Sequence, residues 1–288
     1  MEKVEFGIIG GSGFYQIDGL TDLKEVKLET PFGSPSDSYF IGTLEGRKVA
    51  FLSRHGRGHK HIPSDVNFRA NIYGFKMLGT ERIISMSAVG SMKEEIKILD
   101  IVIIDQYIDR TYRRQNTFFG NGIAGHISFA HPICPVIADY LYKATEKLNL
   151  PVHEGGIYLC IEGPQFSSKA ESFLYRSWGV DVIGMTNATE AKLAREAEMC
   201  YATIAMSTDY DCWHESEEAV NVEMLIENLN KNAQNAKRII KEALKIIPIE
   251  RTGCECKDAL KTSLITRADL IPQETKEKVE LIIKKYIK

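Results

Sequence analysis

Short β-branched runs alternate with helical patterns along this chain. Apolar, β-branched stretches predict strands over Val4–Ile9, Lys48–Ser53, Arg82–Ser87, Ile101–Ile104, Gly156–Glu162, Val180–Ile183 and Ala202–Ser207. Spacing of three and four between apolar positions predicts helices over Asn67–Leu78, Pro135–Lys147, Ser168–Trp178 and Glu190–Met199. A long helix is expected from about Glu217 to Ile246, with Val222, Leu225, Ile226 and Leu229 on one face and Glu218, Glu227, Lys231 and Gln234 on the other. A last helix is expected over Gln273–Ile287. Near-continuous apolar strands alternating with helices describe an α/β fold whose sheet is covered on both faces. No repeat, low-complexity tract or clear linker precedes Pro248, so one domain over 1–288 is expected. Its loop and helix from about 248 to 288 should pack near the functional site or against a neighbouring subunit.

Composition narrows the class. With 288 residues, 44% of them hydrophobic, the chain can bury a substantial core. A net charge of −3 argues against a nucleic-acid surface, and basic clusters such as Arg110–Arg114 are local. No apolar run reaches the ~20 residues that cross a bilayer, and the start Met1-Glu2-Lys3 has no signal-peptide character, so a cytoplasmic address without membrane contact is expected. Six scattered cysteines do not make a small disulfide scaffold. Cys254-Glu255-Cys256 reads as two unpaired thiols, as a strained or redox-active pair, or as a cross-link to Cys200 or Cys134. A metal site is not expected, because no second close pair completes a zinc set.

The candidate chemistry sits at strand ends. Gly10-Gly11-Ser12-Gly13 follows an apolar strand and reads as a tight turn or as a backbone cradle for an anion, with Ser12 adding a hydroxyl. Gln16 stands where a dinucleotide fingerprint needs its third glycine, and no Walker lysine follows. Arg54 and His55 end another strand, either as part of a solvated basic loop or as donors to a tetrahedral oxyanion. Ser87 and Ala88 end a third, and three such ends would form a phosphate pocket at the carboxyl edge of a sheet. Phe166 is either a core aromatic or a stacking platform for a base, with Ser167 beside it. Met185 could lie under a ribose and Thr186 could reach phosphate. Asp209 and Asp211 follow an apolar run. If the segment is extended, carboxylates two apart face one ligand. They read as a cap, a solvated turn, or a recognition pair for a 6-aminopurine, in which a protonated acid donates to N7.

Taken in order, these segments carry a resemblance. Gly7-Ile8-Ile9-Gly10-Gly11-Ser12-Gly13, Thr30-Pro31-Phe32-Gly33, Arg54-His55-Gly56, Asp100–Gln106, Ile161–Ser168 and Ala205–Trp213 are similar to the methylthioadenosine phosphorylase branch of the trimeric purine nucleoside phosphorylase family. The likeness spans nearly the whole chain. It implies a three-layer fold with a central mixed sheet flanked by helices. It implies a phosphate site of Ser12, Arg54, His55, Ser87, Ala88 and Thr186. It further implies a base site of Phe166, Ser167, Asp209 and Asp211, with Met185 beside the ribose and Val222 and Leu225 bordering a methylthio group. His126 matches a histidine lent to a neighbouring subunit, which implies a homotrimer or a dimer of trimers. Ser12 and Ser87 stand where many relatives carry threonine, Gly184 replaces a more usual asparagine and Gln165 a more usual arginine. Thermophile members with disulfides and a C-x-C pair suggest Cys254/Cys256 and Cys134/Cys200 as bridges.

The implied reaction is reversible phosphorolysis of methylthioadenosine to adenine and 5-methylthioribose 1-phosphate, with Asp209 handling the proton at N7. Inorganic phosphate is a co-substrate and no cofactor is expected. Rival expectations are a 6-oxopurine or broader nucleoside phosphorylase, a water-using nucleosidase, and a non-catalytic nucleoside-binding module.

Overall fold

The structure, a computed structural model, describes residues 3–11, 16–214 and 222–287, with side chains in the last stretch described from residue 227. Its strands are β1 (Phe6–Gly10), β2 (Thr21–Val26), β3 (Tyr39–Leu44), β4 (Arg47–Ser53), β5 (Arg82–Ser91), β6 (Ile101–Ile103), β7 (Gln106–Asp109), β8 (Val152–Glu154), β9 (Ile157–Cys160), β10 (Val182–Gly184) and β11 (Cys200–Asp209). The helices are α1 (Phe68–Met77), α2 (Pro135–Lys147), α3 (Lys169–Ser177), α4 (Asn187–Glu196), α5 (Val222–Ile246), α6 (Gln273–Lys278) and α7 (Glu280–Ile283).

All strands join one mixed sheet that forks at β5. Along its first residues β5 lies between β1 and β11, parallel to both. At Gly90 and Ser91 it pairs instead with antiparallel β10, which leads on to β9 and β7. The other arm runs from β11 to β6 and β8. The carboxyl ends of β4, β1, β5 and β11 therefore emerge side by side at the fork. Such a place, where chains leave a sheet in different directions, is where α/β folds put ligands.

The core strands are apolar along their whole length because helices cover both faces; all five residues of β1 are buried. Gly7 admits α1, since a Cβ there would lie 2.7 Å from the Phe75 ring. Asn67 caps α1 by accepting from Ala70 N, and Pro135 opens α2. Ser168 and Glu171 form a reciprocal capping box on α3. A main apolar cluster surrounds β1, β5 and β11, and a smaller one of Met92, Leu159, Tyr175, Val180, Ile183 and Trp213 lies beyond the fork.

Several boundaries differ from expectation. β5 continues to Ser91 because it pairs with β11 as far as Gly90 and with β10 at Gly90 and Ser91. Helix α4 begins at Asn187 rather than Glu190, which makes Thr186 its N-cap position. The final helix breaks at Val279, with φ −108°, into α6 and α7. β2, β3, β7 and β8 were unforeseen; β2 is an edge strand exposed along nearly its whole length and shows no apolar alternation. The C-terminal segment is sewn to the 117–126 loop by a Gly125–Leu264 bridge, by His126 N donating to Ser263 O at 2.8 Å and by Thr275 Oγ1 donating to Asn121 O at 2.6 Å.

Candidate active site

The side of the fork expected to hold phosphate rests on a buried polar network. Arg54 follows β4, its N–H donating to Gly10 O at the end of β1 at 2.9 Å. Its guanidinium is 4% exposed. Nε and Nη2 grip Glu190 of α4 at 2.5 and 3.1 Å, Nη1 donates to Met86 O and Nη2 to Ser85 Oγ. The expectation of a free planar fork facing an oxyanion is therefore corrected. Glu190 takes the bidentate face, and among the described residues one Nη1 N–H is left for a ligand. The network continues through Tyr201 and Ser85, both donating to Glu190 Oε2 at 2.8 Å, and through Asn187, whose Nδ2 contacts Ser85, Tyr201 and Thr203. Burial opposes the charge on Arg54, and the Glu190 carboxylate bonded to it outweighs that and keeps the guanidinium charged.

Around this base stand the residues that the sequence singled out. Ala88 is the one exposed residue on the otherwise buried β5, so the strand opens to solvent there. The Tyr158 hydroxyl lies 3.0 Å from Ser87 Oγ and accepts from the Thr186 backbone N–H, holding the two together. A Cβ on Gly184 would fall 2.0 Å from that hydroxyl, so Tyr158 occupies the space a larger residue at 184 would need. The start of α4 brings a helix N-terminus to the same place.

His55 differs from expectation in its chemistry. Its Nδ1 donates to His61 O at 2.9 Å, and its ring stacks on His59. Burial, and then the Arg54 charge, push its pKa down to about 4. At neutral pH it presents an Nε2 lone pair, an acceptor rather than the expected additional donor. Ser12 lies outside the described residues.

The base side is built from turns. Asp209 is the last residue of β11 and sits against Gly90, where a Cβ would come within 2.9 Å of its Oδ1. Thr208 Oγ1 donates to Asp209 Oδ2 at 2.7 Å and Asp211 N to Oδ1 at 2.8 Å. Asp211 is not on an extended segment, as the side-by-side carboxylate argument requires. It lies in a turn with φ +53°, and its backbone N–H orients Asp209. Trp213 pins that turn by donating to Ser91 O at 2.8 Å, with the Arg176 guanidinium over its ring.

Phe166 is 77% exposed, which removes the core-aromatic reading. Ser167 Oγ is buried and has no partner among the described residues, and Cys212 Sγ donates to Ser167 O at 3.4 Å, tying this loop to the acid turn. Arg114 and Glu162 were missed in the sequence. Buried Arg114 donates to the carbonyls of Met185 and Glu162 and so joins the Phe166 and Met185 loops. Burial opposes the charge of Glu162, yet donors from Ser64, Tyr112 and Arg113, with Arg114 beside them, hold its carboxyl below the usual range. Met185 packs its sulfur against Gly163.

Val222 and Leu225 begin α5, with side chains outside the described residues. Asn228 and Asn232 of that helix donate to Thr208 O and Ser207 O, so α5 abuts the end of β11. His126 is exposed, on the loop paired with the C-terminal segment rather than among the fork residues.

The cysteines hold a second correction. All six are unbonded, so the bridges implied by resemblance are not formed. The missing second pair is supplied in space: Cys134 and Cys200, far apart in sequence, meet Cys254 and Cys256.

Similarity to known proteins places the chain in a family. The sequence profile of the phosphorylase superfamily matches residues 5–245. The chain is 58% identical over 284 residues to an S-methyl-5′-thioadenosine phosphorylase of Koribacter versatilis, covering 99% of this chain and 97% of the relative. It is 55% identical to that of Geobacter sulfurreducens over the whole of both chains. The chain belongs to the phosphorylase superfamily. A methylthioadenosine phosphorylase from an Antarctic soil metagenomic library superposes with a TM-score of 0.94 at 48% identity, covering 98% of this chain and 99% of that one. The Schistosoma mansoni methylthioadenosine phosphorylase in complex with adenine follows at 0.81 and 35%, covering 86% and 93%. The forked sheet is thus the phosphorylase architecture.

Proposed function

We infer that this protein catalyses the reversible phosphorolysis of S-methyl-5′-thioadenosine, giving adenine and 5-methylthioribose 1-phosphate. The carrying observation is the meeting, at one fork of the sheet, of an anion site on buried Arg54–Glu190 and an oriented acceptor carboxylate at Asp209. Near-full-length likeness to proteins of that name supports it.

In the proposed site, phosphate lies among Ser12, the remaining Nη1 N–H of Arg54, His55, Ser87, the backbone of Ala88, and Thr186 with the N-terminus of α4. Hydrogen phosphate donates its P–OH to Nε2 of neutral His55, which leaves its other oxygens ionised. Adenine lies on Phe166, with Ser167, Asp209 and Asp211 at its edge. Met185 lies under the ribose, Val222 and Leu225 flank the methylthio group, and His126 closes a neighbouring subunit's site.

As the bond from N9 to the anomeric carbon breaks, its electron pair passes into the purine and positive charge grows on the ribose. Asp209 shares or donates the proton that N7 takes up. A phosphate oxygen stabilises the cationic carbon and then bonds to it. Positioning and fixed electrostatics supply most of the acceleration, and no cofactor takes part. We further propose a single domain assembled as a homotrimer or a dimer of trimers, working in the cytoplasm. No helix among the described residues is long and apolar enough to cross a membrane.

The test is adenine release from methylthioadenosine with and without inorganic phosphate, beside adenosine and inosine. Phosphate-dependent release favouring methylthioadenosine is expected. Inosine preference would overturn the specificity, release without phosphate the mechanism, and binding without release would leave a recognition module.

A further inference from the structure

Away from the fork, four cysteines converge from three parts of the chain. Cys134 caps the start of α2, Cys200 opens β11, and Cys254 and Cys256 lie in the segment that follows α5. Their four Sγ atoms all lie within 4.8 Å of one another. Cys200 and Cys254 are 3.5 Å apart. Cys134, Cys200 and Cys256 are at most 3% exposed and Cys254 is half-buried.

We propose that Cys134, Cys200, Cys254 and Cys256 bind one zinc ion as a tetrahedral, all-thiolate structural site. Zinc–sulfur bonds of about 2.3 Å around a tetrahedron give sulfur–sulfur edges of about 3.8 Å. The observed spacings bracket that edge, so side-chain rotation of under about 1 Å closes the site around an ion. Two disulfides would instead divide the set into two close pairs, whereas here each sulfur neighbours all three others.

The surroundings also suit an anionic centre. Zinc with four thiolates carries a net charge of −2. Arg251 Nε donates to Cys200 Sγ at 3.2 Å, while its Nη2 is fixed on Glu198 O at 2.6 Å. Arg82 shares with Cys200 and Cys254 a cleft of about 280 Å³ that gives an ion a way in. The Cys256 backbone N–H lies beside the Cys254 sulfur, where amides beside metal thiolates lie. Four protonated thiols would use none of these donors well.

Bound zinc would fasten the C-terminal segment to the body at α2 and β11. That segment in turn holds the 117–126 loop. All four ligands lie off the fork, so the ion takes no part in the proposed chemistry.

The experiment is elemental analysis of the full-length protein purified under reducing conditions from zinc-supplemented culture, with thiol counting after denaturation. One zinc per chain is expected, with all six thiols titrating once a chelator removes the metal. Cobalt(II) added to the zinc-free protein should give thiolate-to-cobalt charge-transfer bands and the intense visible bands of a tetrahedral site. Cys254→Ser and Cys256→Ser should each lose the metal, while Cys212→Ser, outside the set, keeps it. A protein that takes up neither zinc nor cobalt would overturn the proposal. So would missing thiols that reappear on reduction, which would mark disulfides, or full zinc retention in both Cys254→Ser and Cys256→Ser. The cobalt spectrum of the unsubstituted protein decides the question even if a serine variant fails to fold.

Discussion

The two halves of the fork are made of different material. The phosphate half stands on the main core, with Arg54, Glu190, Ser85, Asn187 and Tyr201 all buried and bonded to one another. The base half stands beside a small satellite cluster and consists of turns, with Phe166 exposed, Ser167 Oγ unpartnered among the described residues and Asp211 at positive φ. The difference follows the charge of the ligands. A phosphate dianion needs donors fixed in a place where water cannot compete, because reorganising dipoles during reaction costs rate. A flat aromatic base needs area and a few polar edges, which a loop can supply on contact. Damage to the first half should therefore cost stability and phosphate affinity, and damage to the second should cost nucleoside affinity or turnover.

The largest expected effect falls on the base half. Asp209→Asn removes the group proposed to handle the N7 proton, and turnover should fall ~100- to 10,000-fold in an adenine-release assay. Next comes the foundation of the other half. Glu190→Gln leaves Arg54 charged and uncompensated inside the core, which should cost about 3 kcal/mol and lower Tm by roughly 5 °C in calorimetry. Unchanged stability would mean that the network is not what holds Arg54. Phe166→Ala removes the exposed platform. The nucleoside KM should rise in line with a stacking loss of about 1–3 kcal/mol, with Tm almost unmoved because the side chain is 77% exposed.

His55 gives the comparison a pH signature. Its folded pKa of about 4 lies below the ordinary 6.5. Between those values the unfolded chain takes up a proton that the folded protein refuses, so stability drops as pH falls from about 6.5 to 4. Relative to His55→Gln, the unsubstituted protein should lose about 2 kcal/mol over that range, allowing for the partly exposed ring. Denaturant melts at several pH values would read it, and a parallel pair of curves would contradict it. The smallest effect belongs to Tyr158→Phe. Losing the hydroxyl that joins Ser87 and Thr186 should raise the phosphate KM about fivefold, from about 1 kcal/mol of lost hydrogen bonding, with the nucleoside KM unchanged.

What could be read from the chain follows the same division. Apolar runs that end in Gly10, Ser53, Ser87 and Ser207 mark strands because burial on both faces demands them, and the residues just past those ends were legible as candidates that the fold brings to one fork. The polar network beneath was not. Glu190 looks like any acid on an amphipathic helix, and only the fold turns it inward onto Arg54. The start of α4 was misplaced because Asn187 spends its side chain on the core instead of on a cap. Asp211 was misread because positive φ leaves no mark on an Asp-Tyr-Asp triplet. The cysteine set was invisible for a simpler reason: two of its members come from elements distant in sequence, and ligand spacing rules see only neighbours.

The most direct test of the division is a calorimetric titration of inorganic phosphate into Asp209→Asn beside the unsubstituted protein. If the halves are separately built, the phosphate Kd stays within about twofold while turnover collapses, a difference well under 1.4 kcal/mol. A phosphate Kd that weakens tenfold or more in step with turnover would contradict it, and would mean that the acid turn and the anion site stand or fall as one structure.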